Sequence, residues 1–579
     1  MTIQADDRAL AGTAPASKWF ESWRISPVVA VLIGLLLFAI VPPTIFLVNA
    51  SFHETLPDGS SGAFTLRFYQ QLVAGKLFIP SLVNTILYAC GSALIAIVIG
   101  TVQALIVERT NAPGRKLAFL AAIISLGVPH ILYTVAWLLL LGRSGPVNDL
   151  LAILFQRPQM LDVYSLWGMM LIEGVGFVPL TFLLMSAVLR STDASFEEAA
   201  MMSGASPLGA FMRISLRMAL PALAGLTLLI FVKAFESFEV PALVGLAGNV
   251  SVITTMIYQS SRQAGAANYG EAGAYSVCLV IILLGLMFWQ NQLSKNAKRY
   301  QTITGKGFRP RVIDLGGWRY PASALLVILF LCVTIVPVLM LAFTSFQPFY
   351  GGVSIEAFTR LSLENYEALL KPGSFRDSIL NTLTLGALTA TLVVPFTALC
   401  AWLVVRRVNG AWLLDQIASV PLVFPAIILS VAFLDVFVNM SLPLYGTLLS
   451  VILASSVRYL PYGMRYAFAG TMQIHSDLEE AATVSGASKA RIFVRILLPL
   501  LAATLVSSWL MIFLLSVQAV SLPLLLVGPG SEVMAVTLFE LWQNGQVTEL
   551  AAMGVLWILL MTCVSITFHM LTRRHQLTV

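Results

Sequence analysis

Charge is what this sequence has least of. Only 11% of its 579 residues are Asp, Glu, Lys or Arg, where a soluble globular chain carries about a quarter. With a mean hydropathy of +0.87, too little polar side chain remains to clothe a water-soluble core. A cytoplasmic enzyme and a disordered regulator are excluded. Cysteine is scarce too: Cys90, Cys278, Cys332, Cys400 and Cys563 all fall inside apolar runs. They have neither the density of a secreted disulfide scaffold nor the spacing of a metal site or redox pair, and read as inert small residues. A Gly-x4-Gly-Lys-Ser/Thr phosphate loop is missing, since Gly305-Lys306-Gly307 lacks both the upstream glycine and the hydroxyl residue. Strict apolar/polar alternation is also missing, which excludes a transmembrane β-barrel. The first apolar run, 27–50, is too long for a signal peptide and contains Pro42-Pro43 instead of a cleavage site, so no cleavable signal is expected.

What is present is apolar runs of membrane-spanning length. They fall near 27–50, 82–107, 117–141, 163–189, 218–235 and 272–290, and resume near 321–344, 379–405, 412–438, 444–468, 500–520 and 550–571. The expected fold is an all-α polytopic membrane protein of about twelve transmembrane helices. With the N-terminus in the cytoplasm, Lys and Arg concentrate on the cytoplasmic side, seven of them between Lys295 and Arg319. The opposite loops hold Arg67, Lys76, Arg143, Arg157, Arg262, Arg360, Lys371 and Arg376. This asymmetry puts both termini in the cytoplasm and assigns the net charge of +6 to cytoplasmic loops, with no nucleic-acid partner.

The two halves repeat. Phe68-Tyr69 and Asn84-Thr85 return as Asn365-Tyr366 and Asn381-Thr382, and Ser51-Phe52 returns as Ser345-Phe346. An even number of spans per half makes this a parallel repeat about an axis along the membrane normal. The expected division is a cytoplasmic segment at 1–26, a first half at 27–290, a basic linker at 291–320, a second half at 321–571 and a tail at 572–579.

The strongest motif is polar and lies between spans four and five of each half. Glu198-Ala199-Ala200 is followed by Ser203-Gly204-Ala205-Ser206, and Glu480-Ala481-Ala482 by Ser485-Gly486-Ala487-Ser488. An Ile-x-Leu follows each glycine, ending in Pro499 in the second copy and Arg217 in the first. The pattern predicts a short helix, a break at glycine, and a second helix along the membrane face. This loop resembles the EAA signature of permease subunits of bacterial ATP-binding-cassette importers, and the resemblance extends over two fused permease halves of the type I kind. It implies that Glu198, Ala199, Ala200, Gly204, Glu480, Ala481, Ala482 and Gly486 couple the chain to a cytoplasmic ATPase dimer. It also implies a periplasmic or lipid-anchored solute-binding protein as partner. ATP and Mg would be held by the partner ATPase, and no cofactor by this chain, which is not itself an enzyme.

Ionisable residues inside spans cost at least ~2.5 kcal/mol on insertion scales and default to functional candidates. Glu173 and Arg458 precede prolines that correspond between the halves, Pro179 and Pro461. They either pair across the half interface or line the translocation pathway. Lys233, Glu236 and Glu239 are spaced by three, which predicts one helical face, either a solvated helix end or an external gate. The corresponding second-half positions are Leu515, Gln518 and Ser521, with Gln518 a further gate candidate. Asp435 and His130 read as satisfied bundle residues. No metal set or catalytic constellation is expected.

Fused permeases of this type resemble those for ferric iron, thiamine, polyamines and 2-aminoethylphosphonate. The stretch from Glu108 to Arg115 looks most like the ferric-iron group, so ferric iron leads. The alternative class is an ion-coupled secondary transporter, which can also have two parallel repeats.

Overall fold

The computed structural model describes residues 25–56, 61–190, 195–210, 213–214, 216–262, 268–297, 312–370, 374–440 and 443–576. Most of the expected segment 1–26, the centre of the linker and the last three residues of the tail lie outside this set. Helices dominate, and among the described residues the paired strands form one short antiparallel ribbon, His53–Thr55 against Ser61–Phe64. Among the described residues, ten helices are long and apolar enough to cross a bilayer, and eleven if one bent pair counts as a single span.

Two of the expected continuous spans are broken. The run 117–141 forms Arg115–Gly127 and His130–Leu141, separated at Pro129. The run 412–438 forms Trp412–Val423 and Ala426–Asn439, bent by 102° at Pro425. Proline drives the preceding residue out of the helical region, and Val128 has φ −82° and ψ 125°. The tenth run forms the 24-residue helix Leu448–Thr471. It is long enough to span, at roughly 36 Å. Arg458, Arg465 and three tyrosines leave it less apolar than the others.

Two compact units are present, and they do not follow the sequence halves. One gathers the described residues up to Pro42 with Thr389–Leu422 and Ser456–Ile512. The other holds the remaining described residues. In the first unit, the start of the opening helix Pro27–Ala50 docks on second-half residues. Ser26 N–H donates to Asn409 O at 3.3 Å. Gly410, at φ +81°, lies so close that a Cβ there would meet Ile25 at 3.0 Å. In the second unit the mirror arrangement occurs. The opening helix of the second half, Arg319–Phe330, packs on Arg115–Gly127. Gly114, at φ +112°, faces Leu326 there. The visible end of the linker joins the same junction, where Ile313 pairs with Thr110. Asn111 Nδ2 donates to Asp314 Oδ1 at 2.5 Å. The Gly316 N–H and the Asn111 amide hold the exposed Asp314 carboxyl below the usual carboxylate range.

Within each unit the long helices touch through glycine. A Cβ on Gly100 would fall 2.7 Å from Thr181, and one on Gly463 would fall 2.5 Å from Thr397. These are the same two positions of the repeat with glycine and threonine exchanged. Small residues let membrane helices approach closely, where dispersion supplies the attraction.

The repeated motifs are repeated interactions. Tyr69 OH donates to Ser51 Oγ at 2.8 Å, and Tyr366 OH pairs with Ser345 Oγ at 2.6 Å. Thr85 Oγ1 accepts from Ile253 N–H at 3.0 Å, and Thr382 Oγ1 accepts from Met534 N–H at 2.7 Å. Asn84 and Asn381 each donate to backbone carbonyls just upstream of those N–H groups.

Candidate functional site: paired polar loops and buried interior groups

The two EAA loops are built alike. Ser195–Met202 precedes Gly204 at φ +92°, and Asp477–Val484 precedes Gly486 at φ +81°. This left-handed geometry disfavours residues with a Cβ. It lets the chain close each helix: Ala205 N–H donates to Ala200 O, and Ala487 N–H to Ala482 O, both at 3.0 Å. Gly204 and Gly486 donate to Met201 O and Thr483 O, both at 2.9 Å. Ser206 Oγ then accepts from Gly209 N–H, and Ser488 Oγ from Arg491 N–H, starting the second short helix. The chain widens over Phe493–Leu497 before Pro499 in the second copy, and the described residues Arg213 and Ile214 are wound the same way before Arg217 in the first.

Each loop presents a large apolar side chain to solvent at the same motif position. Met202 and Val484 are both 91% exposed. Glu480 and Ala481 are exposed beside Val484, and Ala199 beside Met202, while Ala200 and Ala482 are half-buried. The Glu198 side chain lies outside the described set. The anchor of the second loop is the neighbouring Glu479, which motif reading passed over. Its Oε1 accepts from Arg406 Nε at 2.8 Å, and its Oε2 from Trp402 Nε1 at 3.0 Å. Arg406 Nη2 also donates to Ile474 O at 3.0 Å. The sequence carried a signal for this, because Arg406 repeats Arg109 and Glu479 repeats Glu197 at the offsets that relate the halves.

The Glu108-to-Arg115 stretch, singled out for its resemblance, is a structural junction. Glu108 is buried, and its Oε1 accepts from Arg190 Nε and Nη2 at 2.9 and 2.7 Å. Its Oε2 accepts from Arg115 at 3.1 Å. Arg190 also lies over the Phe119 ring at 4.9 Å. The two Arg190 bonds to one Glu108 oxygen tie Leu166–Arg190 to the end of Phe78–Arg109, at the foot of the first loop.

The interior charges divide between the two units. Glu173 is fully buried, and its Oε2 bonds His130 Nε2 at 2.8 Å. Arg458 is half-buried, and its Nη1 donates to Pro421 O at 3.5 Å. His130 is the hydrogen-bond partner of Glu173 inside their own unit. Its ring also stacks between Tyr133 and Phe177.

Lys233, Glu236 and Glu239 do not share a helical face. Leu216–Phe235 ends before Glu236, and the chain turns so that Phe238 can bury against Tyr258 and Phe539. Lys233 and Glu236 form an ion pair at 2.6 Å. Glu239 instead accepts from Ser521 Oγ at 3.0 Å. Glu239 and Ser521 are equivalent positions of the duplication, and two equivalent positions can touch only beside the pseudo-two-fold axis. Gln518 is half-buried at the last position of Leu498–Gln518. Asp435 is buried, with Oδ1 accepting from Asn439 at 2.7 Å but Oδ2 without a hydrogen-bond partner among the described residues, so it is not the fully satisfied bundle residue expected. Among the described residues, no three His, Cys, Asp or Glu side chains converge as a metal site.

Comparison with known proteins agrees with this architecture. A family described as "Binding-protein-dependent transport system inner membrane component" matches twice, at residues 96–299 and 393–576. The putative ferric transport system permease protein of Haemophilus influenzae is 28% identical over 522 residues, covering 87% of this chain and 78% of that protein. The ferric transport system permease protein of Actinobacillus pleuropneumoniae is 26% identical over 556 residues, covering 93% and 77%. A putative 2-aminoethylphosphonate transport system permease protein of Salmonella typhimurium is 30% identical over 258 residues, covering 44% of this chain and 89% of that protein. With both halves matched, this multi-pass chain belongs to the family of inner-membrane permease components of binding-protein-dependent transport systems.

Proposed function

We propose that this chain is the membrane conduit of an ATP-driven importer, with both termini in the cytoplasm. It would carry a small solute, delivered by a periplasmic or lipid-anchored binding protein, into the cytoplasm. A separate ATPase dimer grips the two EAA loops, holding ATP and Mg itself. Closure of that dimer on ATP pushes both loops and rocks the pathway from inward-facing to outward-facing, so ATP and the loaded receptor bias one two-state equilibrium. The observation that carries this reading is the pair of loops with matching left-handed glycines, matching hydrogen bonds and matching exposed apolar tips, Met202 and Val484.

Ferric iron is the lead solute. Two relatives named for ferric transport align along most of this fused chain, whereas those named for 2-aminoethylphosphonate align with under half of it. A relative named for spermidine and putrescine also aligns with 42% of the chain, so 2-aminoethylphosphonate, thiamine or a polyamine is the alternative solute. The test is ATP-dependent uptake of radioactive ferric iron into right-side-out vesicles containing the chain, its ATPase and an iron-loaded binding protein. Uptake that needs all three supports the reading. Iron uptake that proceeds without the ATPase, or no iron uptake where the phosphonate or a polyamine is taken up, overturns it.

A further inference from the structure

The interior of the larger unit holds a group of polar side chains that packing does not account for. Tyr88 and Glu173 are both fully buried. The Tyr88 hydroxyl faces Glu173 and Ser237, with Glu239 within electrostatic reach. Tyr88 OH lies within weak hydrogen-bonding reach of Glu173 and Ser237, yet none of Tyr88 OH, Glu173 Oε1 and Ser237 Oγ makes a close, well-aligned hydrogen bond among the described residues. A hydroxyl and a carboxylate oxygen that hold each other only weakly are costly in a membrane interior, where no water compensates them. Such groups persist where another state supplies the missing partner.

The group also has a place and a sign. It reaches the pseudo-two-fold axis through Glu239, which bonds its own repeat equivalent, Ser521. It is built almost wholly by the first half: the second-half equivalents of Tyr88, Glu173 and Ser237 are Leu385, Ser455 and Ala519. Two carboxylates face inward, Glu173 bonded to the His130 imidazole and Glu239 to the Ser521 hydroxyl. The nearby Lys233 is engaged by Glu236 at 2.6 Å. The local balance is therefore negative, built of carboxylate and hydroxyl oxygens.

We infer that Tyr88, Glu173, Ser237 and Glu239, oriented by His130, form a transient binding station for a cationic solute on the translocation path. In this structure His130 holds Glu173 Oε2 and Ser521 holds Glu239, while Tyr88 OH, Ser237 Oγ and Glu173 Oε1 lack a close hydrogen bond among the described residues. When the path opens at the axis, a passing cation meets two carboxylates and two hydroxyl oxygens, a donor set suited to a hard metal ion or an ammonium group. An anion such as a phosphonate meets like charge in a low-dielectric setting and is rejected. The inference rests on the importer reading and deepens it by assigning the sign of the solute's charge.

The test compares Tyr88→Phe and Glu239→Gln with the parent in the assembled transporter, in right-side-out vesicles. The probes are radioactive ferric iron, presented by an iron-loaded binding protein, and radioactive 2-aminoethylphosphonate with its own receptor. Tyr88→Phe removes one oxygen and keeps the packing, so it answers the question even if Glu173→Gln, which breaks the His130 bond, fails to fold. Each variant is expected to lower the maximal rate of iron uptake by at least tenfold, while ATP hydrolysis still responds to the loaded receptor. A merely structural role would lose both together. Unchanged iron uptake in Tyr88→Phe and Glu239→Gln overturns the station. So does phosphonate uptake by the parent at a rate equal to or above that of iron. Loss of uptake in Gly204→Val/Gly486→Val, run alongside, keeps the two readings apart. If those loop variants abolish transport while the interior variants do nothing, the importer stands and the station falls.

Discussion

Replacing Gly486 with valine isolates one physical effect. An added Cβ there meets nothing within 4 Å, so no neighbour is displaced. What remains is the backbone, held at φ +81°. A residue with a Cβ pays roughly 1–2 kcal/mol to occupy this region, and a β-branched side chain stands at the upper end. That cost falls on the loop alone, which lies outside the membrane helices. The docking-competent loop is thereby depopulated about 5- to 30-fold. Gly204, at φ +92° and equally unobstructed, pays a similar cost. If the loops respond independently, the double variant Gly204→Val/Gly486→Val loses about 2–4 kcal/mol of docking free energy, with expression and membrane insertion near normal. Gly486→Val is expected to be the more severe single change, since only the second copy keeps the Pro499 ending. Asparagine tolerates left-handed geometry, so Gly486→Asn should keep most of the activity. The assay is co-purification of the ATPase together with ATP-dependent uptake in membrane vesicles. Full uptake by the double valine variant refutes the coupling assignment, and asparagine variants as damaged as the valine ones refute its backbone explanation.

Three further outcomes are expected. Glu479→Gln should loosen the second loop from Arg406 and Trp402, cutting receptor-stimulated ATP hydrolysis several-fold while Glu480→Gln, at an exposed position, does less; equal effects would remove Glu479 as the anchor. His130→Gln and Glu173→Gln should be non-additive in thermal stability by at least about 0.5 kcal/mol in a double-mutant cycle. A larger coupling of Glu173 with Arg458, measured by reversing both charges, would instead make the Glu173–Arg458 pairing the dominant one. Purified alone, the chain should hydrolyse no ATP, and with its ATPase it should assemble as one permease chain to two ATPase subunits, read by native mass spectrometry; two permease chains per assembly would contradict the duplication argument.

Much of this was readable from residue patterns because membranes impose strong rules. Apolar runs become helices wherever backbone groups must be satisfied internally. Ser51, Tyr69, Asn84 and Thr85 returned in order in the second half because each makes a contact the fold needs twice. What sequence could not give was pairing. Proline inside an apolar run left two outcomes open: Pro179 and Pro461 remain inside helices, whereas Pro129 and Pro425 break them. The spacing of Lys233, Glu236 and Glu239 suggested one face, but burial of Phe238 ended the helix first. His130 read as a bundle residue because its partner, Glu173, lies 43 positions away in sequence.

The crossing of the opening helices bears on how such a chain can be cut. Ser26 bonds Asn409, and Leu326 covers Gly114. Each sequence half therefore lends its first helix to a surface belonging to the other, and neither half contains all of its own packing. Severing the chain in the basic linker would yield two fragments, each with one apolar surface uncovered and one helix unhoused. Fragments made separately should be degraded, while fragments made together should find each other through the exchanged helices. The linker is then a means of guaranteeing equal numbers of two interlocking parts, a task that a pair of separately encoded subunits must leave to balanced synthesis.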